Sequence, residues 1–151
     1  MPVESGVLLA ISISSQKGVA KTNVDQAEFV ADWGILGDAH AGKWHRQISL
    51  LAEESIEKMR LLGADVSAGD FAENLTLRGV DVPHLSIGDK LVIEEVVLEV
   101  TQIGKECHSH CAIYYAVGDC VMPREGVFAK VLRGGKLRLG MIVIRIPADR
   151  K

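Results

Sequence analysis

Long apolar runs are missing from this sequence. The longest near the N-terminus, Val7 to Ile13, is too short to cross a bilayer, contains Ser12, and follows Glu4 where a secretion signal would carry positive charge. No membrane association is expected from it, and a cytoplasmic location is. An excess of positive charge is also lacking. With 17 basic and 20 acidic residues the net charge is −3, which argues against nucleic-acid backbone binding and limits any bound anion to a small one. Cysteine is scarce and odd in number: three residues, at no spacing of a small secreted disulfide scaffold, are expected as reduced thiols, with a Cys107–Cys111 bridge open to oxidation. There is no Ser-His-Asp order, P-loop, dinucleotide glycine fingerprint or His-Glu-x-x-His, so the usual hydrolase and nucleotide-binding classes lack support. Repeats, low-complexity tracts and interdomain linkers are absent too.

What is present suits one folded unit. Of the 151 residues, 48% are apolar and 25% charged, enough for a real core in a single domain spanning 1–151. Strands are expected at Val7–Ile13, Glu28–Val30, Gln47–Leu51, around Leu75 and Leu77, at Lys90–Ile93, Val96–Gln102, Val127–Leu132 and Lys136–Ile146. Glu94-Glu95 reads as a turn, and Gly134-Gly135 as the tightest hairpin turn in the chain. One helix stands out at Glu53–Leu62: Ile56, Met59 and Leu62 or Leu61 share a face expected to pack on a sheet, acids open it, Lys58 and Arg60 close it, and Gly63 stops it. The fold class expected is mainly β, a closed or nearly closed β-barrel with one main α-helix over one opening and short additional helices.

The chemistry concentrates around Cys107. It follows the strand-like run Leu98–Ile103 in Gly104-Lys105-Glu106-Cys107-His108-Ser109-His110-Cys111, where Lys105 and two imidazoles favour the thiolate, the form that attacks sulfur and binds soft metals. On a short helix, residues 107, 110 and 111 would share a face, making His110 the partner of Cys107. Cys and His here also invite a zinc site, but Cys120 with a distant His supplies no second ligand pair at finger or ribbon spacing, and Cys120 reads as a buried inert thiol. A second cluster, Gly34 to Gln47, packs Asp38, His40, Lys43, His45 and Arg46 among small residues in a stretch holding both tryptophans. It is either an anion-binding loop or a solvated turn whose His40 bonds a carbonyl. Asn74, in Gly69-Asp70-Phe71-Ala72-Glu73-Asn74, either meets a heterocycle edge or closes an Asx turn. Arg124, beside Pro123, is fit for a phosphate or for a pair with Glu125 or Glu73. Lys17, Lys21, Arg133, Lys136 and Arg138 read mostly as solvated surface.

Taken in order, Gly37-Asp38-Ala39-His40-Ala41-Gly42, Arg46 to Glu54, Gly69 to Thr76, Leu85-Ser86-Ile87-Gly88-Asp89, the Cys107 strand end and Gly126 to Val131 closely resemble the MOSC domain, named for the C-terminal domain of molybdenum cofactor sulfurases. The resemblance covers nearly the whole chain. It implies a β-barrel that binds a molybdenum–pterin cofactor (molybdopterin), stably or transiently, with one cysteine that ligates molybdenum or carries a persulfide. The family's residues fall on Gly37, Asp38, His40, Gly42, Arg46, Asn74 and Cys107. Glu106 stands where many relatives have proline, and an acid there raises the thiol pKa that Lys105 lowers. The pyridoxal-phosphate desulfurase domain and N-terminal barrel of larger relatives are not in this sequence. Sulfur would therefore come from a cysteine desulfurase or a cofactor-biosynthesis protein, and a molybdoenzyme would be its recipient. Three functions remain open: a cofactor-binding sulfur carrier using Cys107, a molybdenum oxidoreductase that reduces N-hydroxylated compounds, and a non-catalytic zinc-binding or sensing module.

Overall fold

Alternation between inward and outward side chains along each strand decides the architecture. The computed structural model describes residues 4–16, 19–104 and 125–148. The N-terminal half supplies β1 (Ser5–Ile13), β2 (Thr22–Val24), β3 (Gln26–Val30), β4 (Gly34–Ile35), β5 (Ile48–Ala52), the helix α1 (Glu53–Leu61) and β6 (Leu75–Arg78). The remainder supplies β7 (Lys90–Ile93), β8 (Val96–Ile103), β9 (Val127–Arg133), β10 (Gly135–Arg138) and β11 (Ile142–Ile146). Seven strands close a barrel in the order β1-β11-β7-β8-β9-β5-β6, with β6 returning to β1. β2 pairs with the far end of β1, and β10-β3-β4 form a separate small sheet.

Leu8, Leu50, Leu75, Leu98, Val100 and Val131 point inward and join one core. On β8 the neighbours Val97, Glu99 and Thr101 are only partly buried, the period-2 signature of a wall with one wet face. Each fully buried Leu, Ile or Val contributes about 1.5–3 kcal/mol relative to an exposed one. β5 is buried along its whole length because it is covered on both sides. Its Ile48, Leu50 and Ala52 enter the barrel, while Leu51 faces out into a second cluster with Ile56, Met59, Ala64, Val66 and Phe71.

That outward Leu51 explains where the helix lies. Ala52 ends β5 and also occupies the N-cap position of α1, so the helix packs on the sheet as expected and its Ile56–Met59 face meets Leu51, whereas Leu61 and Leu62, expected on that face, are exposed at the helix end. It does not cover the opening, contrary to the sequence expectation. Val80, Val82 and Leu85, around a 3-10 turn at Val82–His84, fill that end of the core instead.

The Glu94-Glu95 turn joins β7 to β8 with Ile93 opposite Val96, and Glu94 takes a φ of 53°. The hairpin expected at Gly134-Gly135 does not form. β10 pairs with β3, setting Gly135 opposite Phe29, and β11 pairs with β7 and β1. The single strand expected over Lys136–Ile146 is broken at Gly140, whose φ is 89° and whose N–H donates to the Leu8 carbonyl at 2.9 Å. Gly134 is needed for close approach and not for a turn, since an added Cβ would collide with the Phe29 carbonyl oxygen. Among the described residues, no helix is long and apolar enough to cross a membrane. Gly134→Ala should lower unfolding stability by about 1–3 kcal/mol, as overpacking does, measured by urea denaturation of both chains.

Candidate functional site

The loop between β4 and β5 is organised by one carboxylate. Gly37, with a φ of 90°, turns the chain so that Asp38 points inward. Asp38 Oδ1 accepts from Lys21 Nζ at 2.8 Å and from the Ser14 N–H at 3.1 Å, and Oδ2 accepts from the His40 N–H at 3.0 Å. Burial alone would raise this carboxyl, but the Lys21 ammonium and the two backbone donors outweigh it and hold the pKa below the ordinary value. Lys21 is 5% exposed, not solvated as the sequence led us to expect. Its ammonium also reaches Ser14 Oγ at 3.1 Å, and its N–H donates to the Gly69 carbonyl. No local pattern announces this pair, because the two residues meet only through the fold.

Beyond Asp38 the loop stacks its rings. His40 Nδ1 lies 3.8 Å from Asp38 Oδ2, its ring is nearly parallel to Trp44 at 6.4 Å, and Trp44 Nε1 donates to the His40 carbonyl at 2.8 Å. Gly42 lies against Trp44, where an added Cβ would rest 3.6 Å from the ring. His45 meets Trp44 edge-on at 6.0 Å. The Arg46 guanidinium carbon sits 5.0 Å from the Trp44 ring centre and 5.5 Å from that of Phe128, a cation held by two aromatic faces. Phe128 is buried, yet it alternates with the core residues Val127 and Ala129, so it faces outward under this loop. Arg46 Nε is buried with no hydrogen-bond partner among the described residues.

This face borders the point where β8 ends. His45 Nε2 is 2.9 Å from Gln102 Oε1, and Thr101 Oγ1 donates to the His45 carbonyl. Gly104 N–H donates to the Gly126 carbonyl at 2.6 Å, so both feet of the 105–124 segment stand side by side on the β8–β9 pair. Cys107, His110 and Arg124, together with Cys111 and Cys120, lie outside the described residues. The structure thus brings Asp38, His40 and Arg46 together with the feet of the cysteine segment. Trp44, Phe128 and Gln102 complete the face, and sequence reasoning had not assigned them to it.

Asn74 stands apart. It is fully buried, its Oδ1 accepts from the Ser49 N–H at 2.9 Å, and its Nδ2 donates to the Ser12 carbonyl at 3.1 Å. It bridges β5 and β1 and closes no Asx turn. Glu73 is also fully buried, its carboxylate accepting from Gly69 N–H, Phe71 N–H and Thr76 Oγ1. Burial raises its pKa, and those donors only partly offset the rise.

An open cleft of about 550 Å³ is lined in part by Glu54, Ser55, Lys58, Asp81, His84 and Glu125. Glu125 is engaged by Ser55 Oγ at 2.6 Å and Lys58 Nζ at 3.1 Å. Three carboxylates against one lysine and one histidine suit an anion poorly, whereas the Arg46 face suits one well.

The sequence matches the family model described as MOSC domain over residues 37–146, well over half of the chain. The chain belongs to the MOSC domain family. The MOSC family is associated with the molybdenum cofactor. The structure resembles the YuaD protein of Bacillus subtilis, with a TM-score of 0.82 at 16% identity over 98% of this chain and 99% of that one. It also resembles YiiM from Escherichia coli (TM-score 0.65, 17% identity, 100% and 72% covered) and YiiM from Geobacillus stearothermophilus (0.68, 18%, 93% and 75%). At these identities the likeness is one of fold. No curated protein sequence matches the chain significantly. The residues of the Arg46 face fit the family's cofactor: a guanidinium with a spare buried N–H, wedged between aromatic rings, is apt for a phosphate-bearing heterocycle.

Two outcomes follow for this MOSC chain. Asp38→Ala strands the Lys21 ammonium in the interior and should cost about 3–5 kcal/mol, read from denaturant unfolding. The folded pKa of Asp38 lies below the unfolded one, so its contribution is full above about pH 4 and is lost as pH falls through the folded value. Asp89, desolvated but held down by the Ser86 and Ala148 N–H groups and Arg145, acts with the same sign. In acid titrations of stability, Asp38→Asn should flatten the loss below that pH without abolishing it.

Proposed function

We propose that this MOSC domain binds the molybdenum cofactor at the Arg46 face, with Cys107 as the sulfur that ligates molybdenum or carries a persulfide. The observation that carries the proposal is the Arg46 guanidinium between Trp44 and Phe128, with an unpartnered buried Nε, next to the strand end that leads to Cys107. Covalent connectivity alone keeps the Cys107 Cα within about 11 Å of the Gly104 Cα. Among the described residues no group of three or more His, Cys, Asp or Glu is arranged to hold a metal ion. Cys107 is the metal ligand in this reading because a thiolate is a ligand that suits a soft metal centre.

The chain's own groups have separable tasks. Arg46 holds a phosphate or heterocycle edge by charge-assisted hydrogen bonds, and Trp44 and Phe128 keep water from competing. Asp38, clamped by Lys21, holds the loop that presents them. When bound, the cofactor supplies a redox-active metal centre. As a carrier, the Cys107 thiolate attacks the outer sulfur of a donor's persulfide, forming one S–S bond while the donor's S–S bond breaks and its thiolate leaves with the electron pair.

The test is to purify the protein from cells that make the cofactor and assay molybdenum, pterin and cysteine-bound sulfane sulfur. Cys107→Ser should lose molybdenum or sulfane sulfur, and Arg46→Ala should retain about tenfold less pterin, the loss of one hydrogen bond to a charged group. Unchanged levels of all three in Cys107→Ser would end the proposal.

A further inference from the structure

Alternation along β8 would send Gln102 into the core. Val96, Leu98 and Val100 all face inward, and the next step of two along the strand is Gln102. The register with β9 shifts at this point. Val100 pairs with Ala129 and Gln102 with Phe128, so Thr101 and Gln102 together stand opposite a single residue, a β-bulge. The extra residue turns Gln102 outward, onto the side of the wall where Phe128 supports Arg46. A bulge re-aims a side chain, and here the side chain lands between two segments of the candidate site.

Both ends of the Gln102 amide are in use. Its Nε2 donates to the Gly104 carbonyl at 2.9 Å, and its Oε1 lies 2.9 Å from His45 Nε2. A carbonyl oxygen only accepts, so the amide can be placed in one way, and His45 donates from Nε2. Thr101, the other bulge residue, donates to the His45 carbonyl, so the ring and the backbone of His45 are held by two consecutive residues of one strand. Gly104 is held at both of its polar backbone groups, the N–H by the Gly126 carbonyl and the carbonyl by Gln102, at a φ of 78°. One side chain thus joins the loop that carries Arg46 to the strand end that leads to Cys107.

We propose that Gln102 is a positioning residue for Cys107: through His45 and Gly104 it fixes the strand end from which the cysteine departs relative to the Arg46 face. The inference rests on the reading of Cys107 as the reacting sulfur. A ligand that meets Arg46 with one group and Cys107 with another needs the two at a constant separation, and an amide bonded at both ends holds that separation without adding a charge to an anion site. His45 transmits the constraint, because its ring and its carbonyl are both tied to β8.

Alkylation of Cys107 by iodoacetamide, followed by peptide mass on the purified full chain, reads the setting of the sulfur without any cofactor, with circular dichroism to check folding. Gln102→Leu, similar in size but unable to bond either partner, should raise the rate about fivefold, because a strand end released from the loop lets the thiol sample more positions. His45→Phe should raise it about as much, and the double variant no further, since the two residues act as one link. His45→Gln, which keeps a side-chain N–H for the Gln102 oxygen, should restore the wild-type rate, an outcome that ring packing alone would not produce. In heteronuclear NMR spectra the His45 Nε2 proton should be visible in wild type and lost in Gln102→Leu. A rate not raised in Gln102→Leu, or two single effects that add in the double variant, would overturn the proposal. So would equal rates in His45→Phe and His45→Gln, which decides the matter even where Gln102→Leu does not fold. The cofactor reading fails separately, on unchanged molybdenum, pterin and sulfane sulfur in Cys107→Ser.

Discussion

A buried ion pair between Lys21 and Asp38 is the constraint on which the candidate site depends. Both side chains are almost wholly out of water, so neither charge tolerates loss of the other. Their contacts tie together three stretches that are remote in sequence: the end of β1 through Ser14, the Gly69 loop through the Lys21 backbone, and the β4–β5 loop through His40. Glu73 secures the Gly69 loop from below, and an added Cβ at Gly69 would press on the Lys21 carbonyl. The Trp44–Arg46–Phe128 stack is thus built on a rigid base. A site held this way loses little conformational entropy on binding a ligand.

The barrel supplies the second half of the geometry. β8 and β9 pair along most of their length, and the Gly104–Gly126 hydrogen bond closes the pair where the 105–124 segment departs. Gln102 and Phe128 lie opposite each other on these two strands, and both touch the basic loop. Sheet register therefore sets the loop beside the two strand ends, at Gly104 and Gly126, that flank the cysteine segment. Coverage of the outer walls follows the same logic: helix, small sheet and loop each cover apolar positions, and Ile142, Ile144 and Ile146 of β11 stay exposed among the described residues.

Much of the fold was legible in the residues. The strand-like run Val96–Gln102, the acid-to-base order of Glu53–Leu62 and the Glu94-Glu95 turn are local signals, and the structure follows them, with β8 reaching Ile103 and α1 ending at Leu61. The Gly134-Gly135 pair misled because glycine serves two purposes, positive φ and close approach, and only the partner strand reveals which is in use. Of the site, the run from Gly37 to Arg46 was legible because its polar residues are crowded into one stretch. Lys21, Gln102 and Phe128 were not, since each looks ordinary in its own neighbourhood.

By itself the sequence determined the strand and helix periodicities, the clustering of Asp38, His40 and Arg46, and the ordered set of motifs that marks the MOSC domain. Those are properties of neighbours along the chain. Only the tertiary structure decided that β10 joins β3, that α1 lies on the wall and not over the opening, that Lys21 is buried against Asp38, and that Arg46 rests between Trp44 and Phe128. Each of these is a contact between distant segments, and its energy depends on what water is excluded when the barrel closes, which no local pattern encodes.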